Sequence, residues 1–394
     1  MTQHDNRPTE NRFATIAVGA ADTEKRPHRG GTSDVVPPIH LSTTFEWGSG
    51  DSANEHDYSR ESNPTRAALE EQLARLEGGE YALAFASGMA ATSTTILSLV
   101  PPGGHLVSSD SIYSGTEKLL TELAAGHLNV DVDFVDARDP ENVAAAVDSE
   151  TDLIWAETPT NPLIRLCDIQ AIADIADNHN SLFGVDSTFA SPYFQAPLEL
   201  GADIVVHSTT KYLNGHSDSI GGAIITNDDG AFEQLAFAQR IGLGNMLSPF
   251  DCYLVGRGVK TLPARMDHHE TNAMAVARFL ESHDRVAHVY YPGLESHPQH
   301  DLASEQMSGY SGMLSFEFDG TLVELEAFIE GLEVFTPGAS LGGTESLIEV
   351  PSLMIPDEFS RSEDSAEIPE TLVRVSVGLE DADDLCEDLR KALP

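Results

Sequence analysis

From residue 64 onward the hydrophobic positions fall into two alternating periods. Ala68, Leu69, Leu73 and Leu76 recur at the spacing of one helix face behind Pro64, a residue suited to the first helical position. Short apolar runs follow at Tyr81–Ala86, His105–Ser108, Val130–Val135, Leu153–Glu157, Leu182–Asp186 and Ile204–His207, several separated by helix-length stretches such as 168–178. That strand–helix rhythm predicts an α/β fold whose central sheet is mostly parallel and covered on both faces. After about residue 245 the pattern changes. A long helical stretch at 261–280 precedes strand-like 312–318, a helix at 322–331 and strand-like 372–377, which predicts a smaller α+β unit. Residues 1 to about 55 carry no sustained period and read as an extended arm; 357–370 are acidic and polar and read as a solvated loop or lid. The expected organisation is an arm over 1–55, a large domain over 56–245 and a smaller C-terminal domain over 246–394.

Charge narrows the choice of partners. The 64 acidic residues outnumber the 22 basic ones, a formal net charge of −42 spread along the chain. Such a surface repels nucleic-acid phosphates and anionic lipid, so neither nucleic acid nor membrane is an expected partner. It suits a salt-rich cytoplasm, because the Debye length is ~3 Å at 1 M salt and ~8 Å near physiological salt. The three cysteines, Cys167, Cys252 and Cys386, are too scattered for a disulfide framework or a metal knuckle and fit a reducing interior. The first residues are polar and lack the apolar stretch of a signal peptide. The uncharged run from Tyr81 to Ser109 is broken by Gly88, Pro101, Pro102 and Gly103, so it reads as strand, turn and helix rather than a membrane span. A cytoplasmic protein is expected. No metal is expected either, since His268-His269-Glu270 and His297-Pro298-Gln299-His300 lack a helical ligand pair with a catalytic Glu.

Candidate chemistry gathers at two strand ends. Only five lysines occur, and one of them, Lys211, follows the apolar run 204–207, while Asp186 closes the run 182–186. In a parallel sheet both side chains emerge at the carboxyl edge, where ligands bind. A lysine that forms an imine and a carboxylate that keeps a pyridine nitrogen protonated together describe a site for pyridoxal 5′-phosphate. Upstream, 81–86 runs into Ser87, Gly88 and Met89 and then a helix, whose free N–H groups and dipole suit a phosphate. Singly, each feature has a bland counterpart: a tight turn, a helix cap, a surface lysine.

Several longer motifs occur in order: YSRESNPT at 58–65, ASGMAA at 86–91, ETPTNPL at 157–163, DSTFASPYFQ at 186–195, HSTTKYLNGHSD at 207–218, SLGGTESL at 340–347 and VRVSVGLED at 373–381. Together they resemble the Cys/Met-metabolism, or transsulfuration, family of pyridoxal-phosphate enzymes, across nearly the whole chain. The resemblance implies fold type I, like aspartate aminotransferase, and a homodimer or homotetramer with shared active sites. It implies that Lys211 carries the imine, Asp186 pairs with the ring nitrogen and Thr188 supports the ring. The Ser87 side chain, the Gly88 and Met89 backbone, Ser208 and Thr210 would hold the phosphate, joined by Tyr58 and Arg60 from a neighbouring subunit. Tyr113 would stack on the ring and assist proton transfer. Asn161, Ser340 and Arg374 would receive the substrate carboxylate, with Tyr58 also at the substrate.

The reaction expected from the resemblance is γ-elimination of cystathionine, since 246–262 and 291–300 look like the γ-lyase branch. The stretch 56–66 also looks like the γ-synthase branch, so γ-replacement on an acyl-homoserine, the related sulfhydrylase reaction and methionine γ-elimination stay as alternatives. Tyr113-Ser114-Gly115-Thr116 lacks the cysteine of the methionine branch. Ala339, Lys118 and the stretch 350–356 depart from the usual Glu, Arg and loop histidines, which bears on the distal pocket. A non-catalytic binding protein on the same fold is the rival of another class, and the intact set Lys211, Asp186, Tyr113 and Arg374 argues against it.

Overall fold

The computed structural model describes residues 12–19, 34–47, 56–354 and 366–393. Most of the expected arm, and residues 357–365 of the expected lid, lie outside them. The first long helix, α2 (Pro64–Glu77, after the short α1, Phe13–Ala17), begins where the pattern predicts. The Asn63 side chain accepts the Thr65 and Arg66 N–H groups, and Gly78 ends the helix at φ 79°. Its apolar stripe then turns the chain into β1 (Tyr81–Phe85), and Ser87 caps α3 (Gly88–Leu99) by accepting the Ala90 N–H.

Six further strands complete a seven-stranded sheet: β2 (His105–Ser109), β3 (Asp131–Val135), β4 (Thr151–Glu157), β5 (Leu182–Asp186), β6 (Ile204–His207) and β7 (Gly222–Thr226). Their order is β1-β7-β6-β5-β4-β2-β3. The pairs from β6 to β3 are parallel, as expected, whereas β7 runs antiparallel to both β6 and β1. The sequence reading misses β7. Its direction follows from its connection, an irregular return over 208–221 with no crossover helix, and a parallel neighbour needs a crossover. The consequence is a single edge at which β1, β2, β4, β5 and β6 all end.

A second, five-stranded sheet forms from β8 (Val286–Tyr290), β9 (Met313–Phe318), β10 (Thr336–Pro337), β11 (Leu347–Glu349) and β12 (Leu372–Ser376), in the order β10-β11-β12-β9-β8. Ala273, Val276 and Leu280 of the helix Leu262–Glu281 pack with Phe316, Val373 and Val375 of this sheet and with Leu385 and Leu389 of the C-terminal helix Ala382–Ala392. Another cluster crosses between the halves of the chain: Leu69, Leu73 and Leu76 pack with Phe194, Tyr212, Val255, Met266 and Met313, and Phe13 and Ile16 join them. Each large side chain so buried contributes about 1.5–3 kcal/mol. This shared core fixes Tyr212, and hence its neighbour Lys211, at the junction of the two sheets. Among the described residues no helix is long and apolar enough to cross a membrane.

Candidate active site

One wall of the site is the common edge of the seven-stranded sheet. Asp186 ends β5, and its Oδ1 accepts the Thr188 hydroxyl at 2.6 Å and the Thr188 N–H at 3.0 Å. Thr188 Oγ1 also accepts the Ser208 N–H at 2.9 Å, and the Lys211 N–H donates to the Ser208 carbonyl at 3.2 Å. The two residues singled out in the sequence are thus joined by an unbroken chain of hydrogen bonds, Asp186–Thr188–Ser208–Lys211. Burial pushes the Asp186 carboxyl above the ordinary carboxylate value, against Thr188 and the nearby His207, which pull it down. A cation placed beside it would reverse that penalty.

The segment expected to seat the phosphate is the start of α3. Ser87 takes the Ala90 and Ala91 N–H groups with its hydroxyl and carbonyl, while the Gly88 and Met89 N–H groups have no partner among the described residues. Gly88 is needed sterically, since a Cβ there would lie 2.9 Å from the Ser208 Cβ. Thr210 has an engagement that the expectation does not include. Its hydroxyl donates to the Gly221 carbonyl at 3.2 Å and accepts the Gly221 N–H at 3.0 Å, closing the return into β7.

The facing wall comes from the second sheet and the loop after β4. Lys211 Nζ donates to Ser340 Oγ at 2.7 Å. Ser340 stands at φ 85°, a left-handed conformation that costs a non-glycine residue about 1–3 kcal/mol. It is held there from both sides, because the Arg374 guanidinium donates to its carbonyl at 2.9 Å. Arg374 also donates to Asn161 Oδ1 at 3.2 Å and pairs with Glu349, directly opposite on β11. Burial, and then the positive charge of Arg374, pull the Lys211 amine down from its ordinary value to about 8, with Glu349 opposing.

Tyr113 is half exposed beyond β2, with its ring beside Gly115, where a Cβ would meet the ring at 2.5 Å and the Met89 sulfur at 3.1 Å. Tyr58 and Arg60 are not brought to the other residues. The Arg60 guanidinium lies 5.4 Å from the Tyr58 ring centroid and donates to the Arg240 carbonyl. Two acids escaped the sequence reading. Glu349 is one. Glu157 is the other, accepting the Tyr113 N–H at 2.7 Å and the Asn161 N–H at 2.8 Å; it stood in the ETPTNPL motif, which was the available signal. Among the described residues no group of three potential ligands is arranged for a metal, and His269, His297 and His300 are bonded to backbone.

These features fit pyridoxal phosphate. The free Gly88 and Met89 N–H groups offer a phosphate seat, Asp186 Oδ2 carries no hydrogen bond among the described residues, and the Lys211 amine is held at a depressed pKa. The model of the Cys/Met metabolism PLP-dependent enzymes matches residues 14–394. A cystathionine γ-lyase of Dictyostelium discoideum is 45% identical over 395 residues, covering 100% of this chain and 99% of the relative. The crystal structure of cystathionine γ-synthase from Xanthomonas oryzae pv. oryzae, in complex with cystathionine, is 40% identical, with a TM-score of 0.91 over 98% of each chain. That of cystathionine γ-lyase from Lactobacillus plantarum, complexed with L-serine, is 40% identical, with a TM-score of 0.88 over 97% of this chain and 98% of that one. A lysine and a partly buried acid, linked through Thr188 and Ser208 along one sheet edge within a family match that runs almost from end to end, make this chain a member of the Cys/Met-metabolism family of pyridoxal-phosphate-dependent enzymes.

Proposed function

We propose that the protein is a cystathionine γ-lyase, converting cystathionine and water to cysteine, 2-oxobutanoate and ammonia. The observation that carries this reading is the 45% identity to a cystathionine γ-lyase over the whole chain, with the Lys211 amine bonded to Ser340 between an acid edge and the Arg374 wall. Pyridoxal phosphate, when bound, supplies an electron sink that acidifies protons along an attached amino acid. Lys211 then has to take a proton at the α-carbon and deliver one elsewhere, and a pKa near 8 leaves ~10% of the free amine neutral at pH 7. Asp186 would hold the ring nitrogen's proton, steered by Thr188. The Ser87 side chain, the Gly88 and Met89 backbone, and Ser208 would seat the phosphate; Thr210 would join only by giving up Gly221. Tyr113 would cover the ring and assist proton transfer. Arg374, aligned by Asn161 and Ser340, would receive the α-carboxylate through charge-assisted bonds.

Incubation with cystathionine alone should release cysteine and 2-oxobutanoate, and borohydride should fix the cofactor to Lys211. The second reading, a γ-synthase, is favoured by the likeness to the Xanthomonas enzyme. It would be established by cystathionine formation from an acyl-homoserine and cysteine with no release of 2-oxobutanoate in the first assay. Wild-type protein that takes up no cofactor would end both readings.

We also infer a homodimer, paired into a homotetramer, in which Tyr58 and Arg60 complete the partner's site. Arg60 contacts residue 240, and around it Phe237, Ile241 and Leu243 are each more than half exposed, an apolar surface that a second copy would cover. Mixing inactive Lys211→Ala and Arg60→Ala proteins after dissociation should restore activity in the hybrids. The acidic surface and the three free cysteines support a reducing, salt-rich cytoplasm. Dilution into low salt should then destabilise or dissociate the protein, and unchanged stability would count against that setting.

A further inference from the structure

Glu157 ends β4 next to Asp186, its register partner on β5. The residue is 6% exposed, yet both carboxylate oxygens are committed to neighbours in the site: Oε1 accepts the Asn161 N–H and Oε2 the Tyr113 N–H, at 2.8 and 2.7 Å. Asn161 in turn accepts from Arg374, and the Tyr113 ring lies against Gly115 near the Met89 sulfur. One buried acid therefore spans the two walls. A neutral side chain would avoid its desolvation cost but could not offer two acceptors to two amide donors.

We propose that Glu157 is a positioning residue that fixes the separation between Tyr113 and the Asn161–Arg374 couple, so that the ring-covering group and the carboxylate-receiving group are set by one side chain. The inference rests on the roles given above to Tyr113, Asn161 and Arg374. Glutamine at 157 keeps one acceptor and turns an NH₂ donor toward the other N–H. Aspartate keeps both oxygens but is one methylene too short to reach both.

The test uses holoenzyme carrying Glu157→Gln or Glu157→Asp. Visible circular dichroism of the bound cofactor is recorded without substrate. KM and kcat are measured on whichever substrate the wild type turns over, together with Tm. The expected result is an altered cofactor band and a KM raised about tenfold, the size of one lost charge-assisted hydrogen bond, with a smaller fall in kcat. Aspartate should restore part of the band and of KM at nearly wild-type Tm. If the glutamine variant does not fold, the aspartate variant alone decides. A wild-type band and KM in folded variants, with or without a lower Tm, would overturn the proposal. A wild type with no cofactor band at all would instead sink the functional reading on which it rests.

Discussion

The two walls of the site handle charge in opposite ways. On the sheet edge, Asp186 accepts only the Thr188 hydroxyl and amide and has no cation within ion-pair distance among the described residues, so burial lifts its pKa. On the opposite wall, Arg374 is already matched by Glu349, and both are buried. The first wall holds an acid with no resident counter-charge, while the second holds an arginine that, in the role proposed for it, would share its guanidinium between a resident acid and an incoming carboxylate. In the roles proposed for these residues, recognition of the cofactor ring would rest on an unmet charge, and recognition of the substrate on competition with a resident one.

Removing the unmet charge should have the largest effect. Asp186→Asn keeps size and the Thr188 contacts but cannot hold a ring proton, so kcat should fall by about 10²–10³-fold, the loss typical of one preorganised electrostatic group, with KM nearly unchanged. Steady-state rates on cystathionine decide this, and a variant with normal kcat would remove Asp186 from the chemistry. Next comes Arg374→Met, which strands Glu349. Breaking a buried pair from one side costs about 3–5 kcal/mol, to be read from the denaturant midpoint, and KM should rise by about 10- to 100-fold. If Glu349→Gln, which removes the other partner, lowers stability as much but leaves KM within a few-fold, the sharing of Arg374 is established.

The difference between the walls also explains what could be read from the sequence. Asp186 and Lys211 were legible because each sits at or just beyond the end of its own apolar run, and strand ends in a parallel sheet share an edge. Arg374 was reached only through family resemblance, and Glu349 not at all. Nothing local marks an acid before Val350-Pro351, and it meets Arg374 only because β11 and β12 pair in that register. Thr210 shows a contact that its motif does not disclose. The motif placed it at the phosphate, but its hydroxyl is drawn to Gly221 by the turn into β7, a strand the apolar pattern did not reveal. Tyr58 and Arg60 stand apart from the single-chain site, so no periodicity along one chain could locate what they serve.

A smaller effect joins the walls through Lys211. In the apoprotein its amine should titrate near 8, below the ~10.4 of an unfolded lysine, because burial and Arg374 disfavour the charged form. Between those values the unfolded chain binds more protons, so the penalty is complete below pH 8 and apoprotein stability from this group rises with pH up to ~10.4. The pH profile of Lys211 acylation in the apoprotein checks the starting point. Arg374→Met should move the inflection upward, since a positive neighbour is lost and Glu349 is left to favour the ammonium. An inflection that stays at 8 would mean that burial alone sets it.

The smallest expected effect concerns Lys118, one of the departures from the family pattern that the resemblance implies. Here its amine lies 3.3 Å from Glu122, one helical turn on, with Glu122 largely exposed. Such a surface pair contributes about 0.3–0.5 kcal/mol and weakens with salt. Lys118→Ala should therefore shift the denaturant midpoint barely above error and leave KM for cystathionine within about twofold, since the amine is committed to Glu122 rather than to either wall. A tenfold rise in KM would place Lys118 on the substrate wall. That wall would then hold a second cation, one not matched by a buried acid, and the contrast between an unmet charge for the cofactor and a matched one for the substrate would no longer hold.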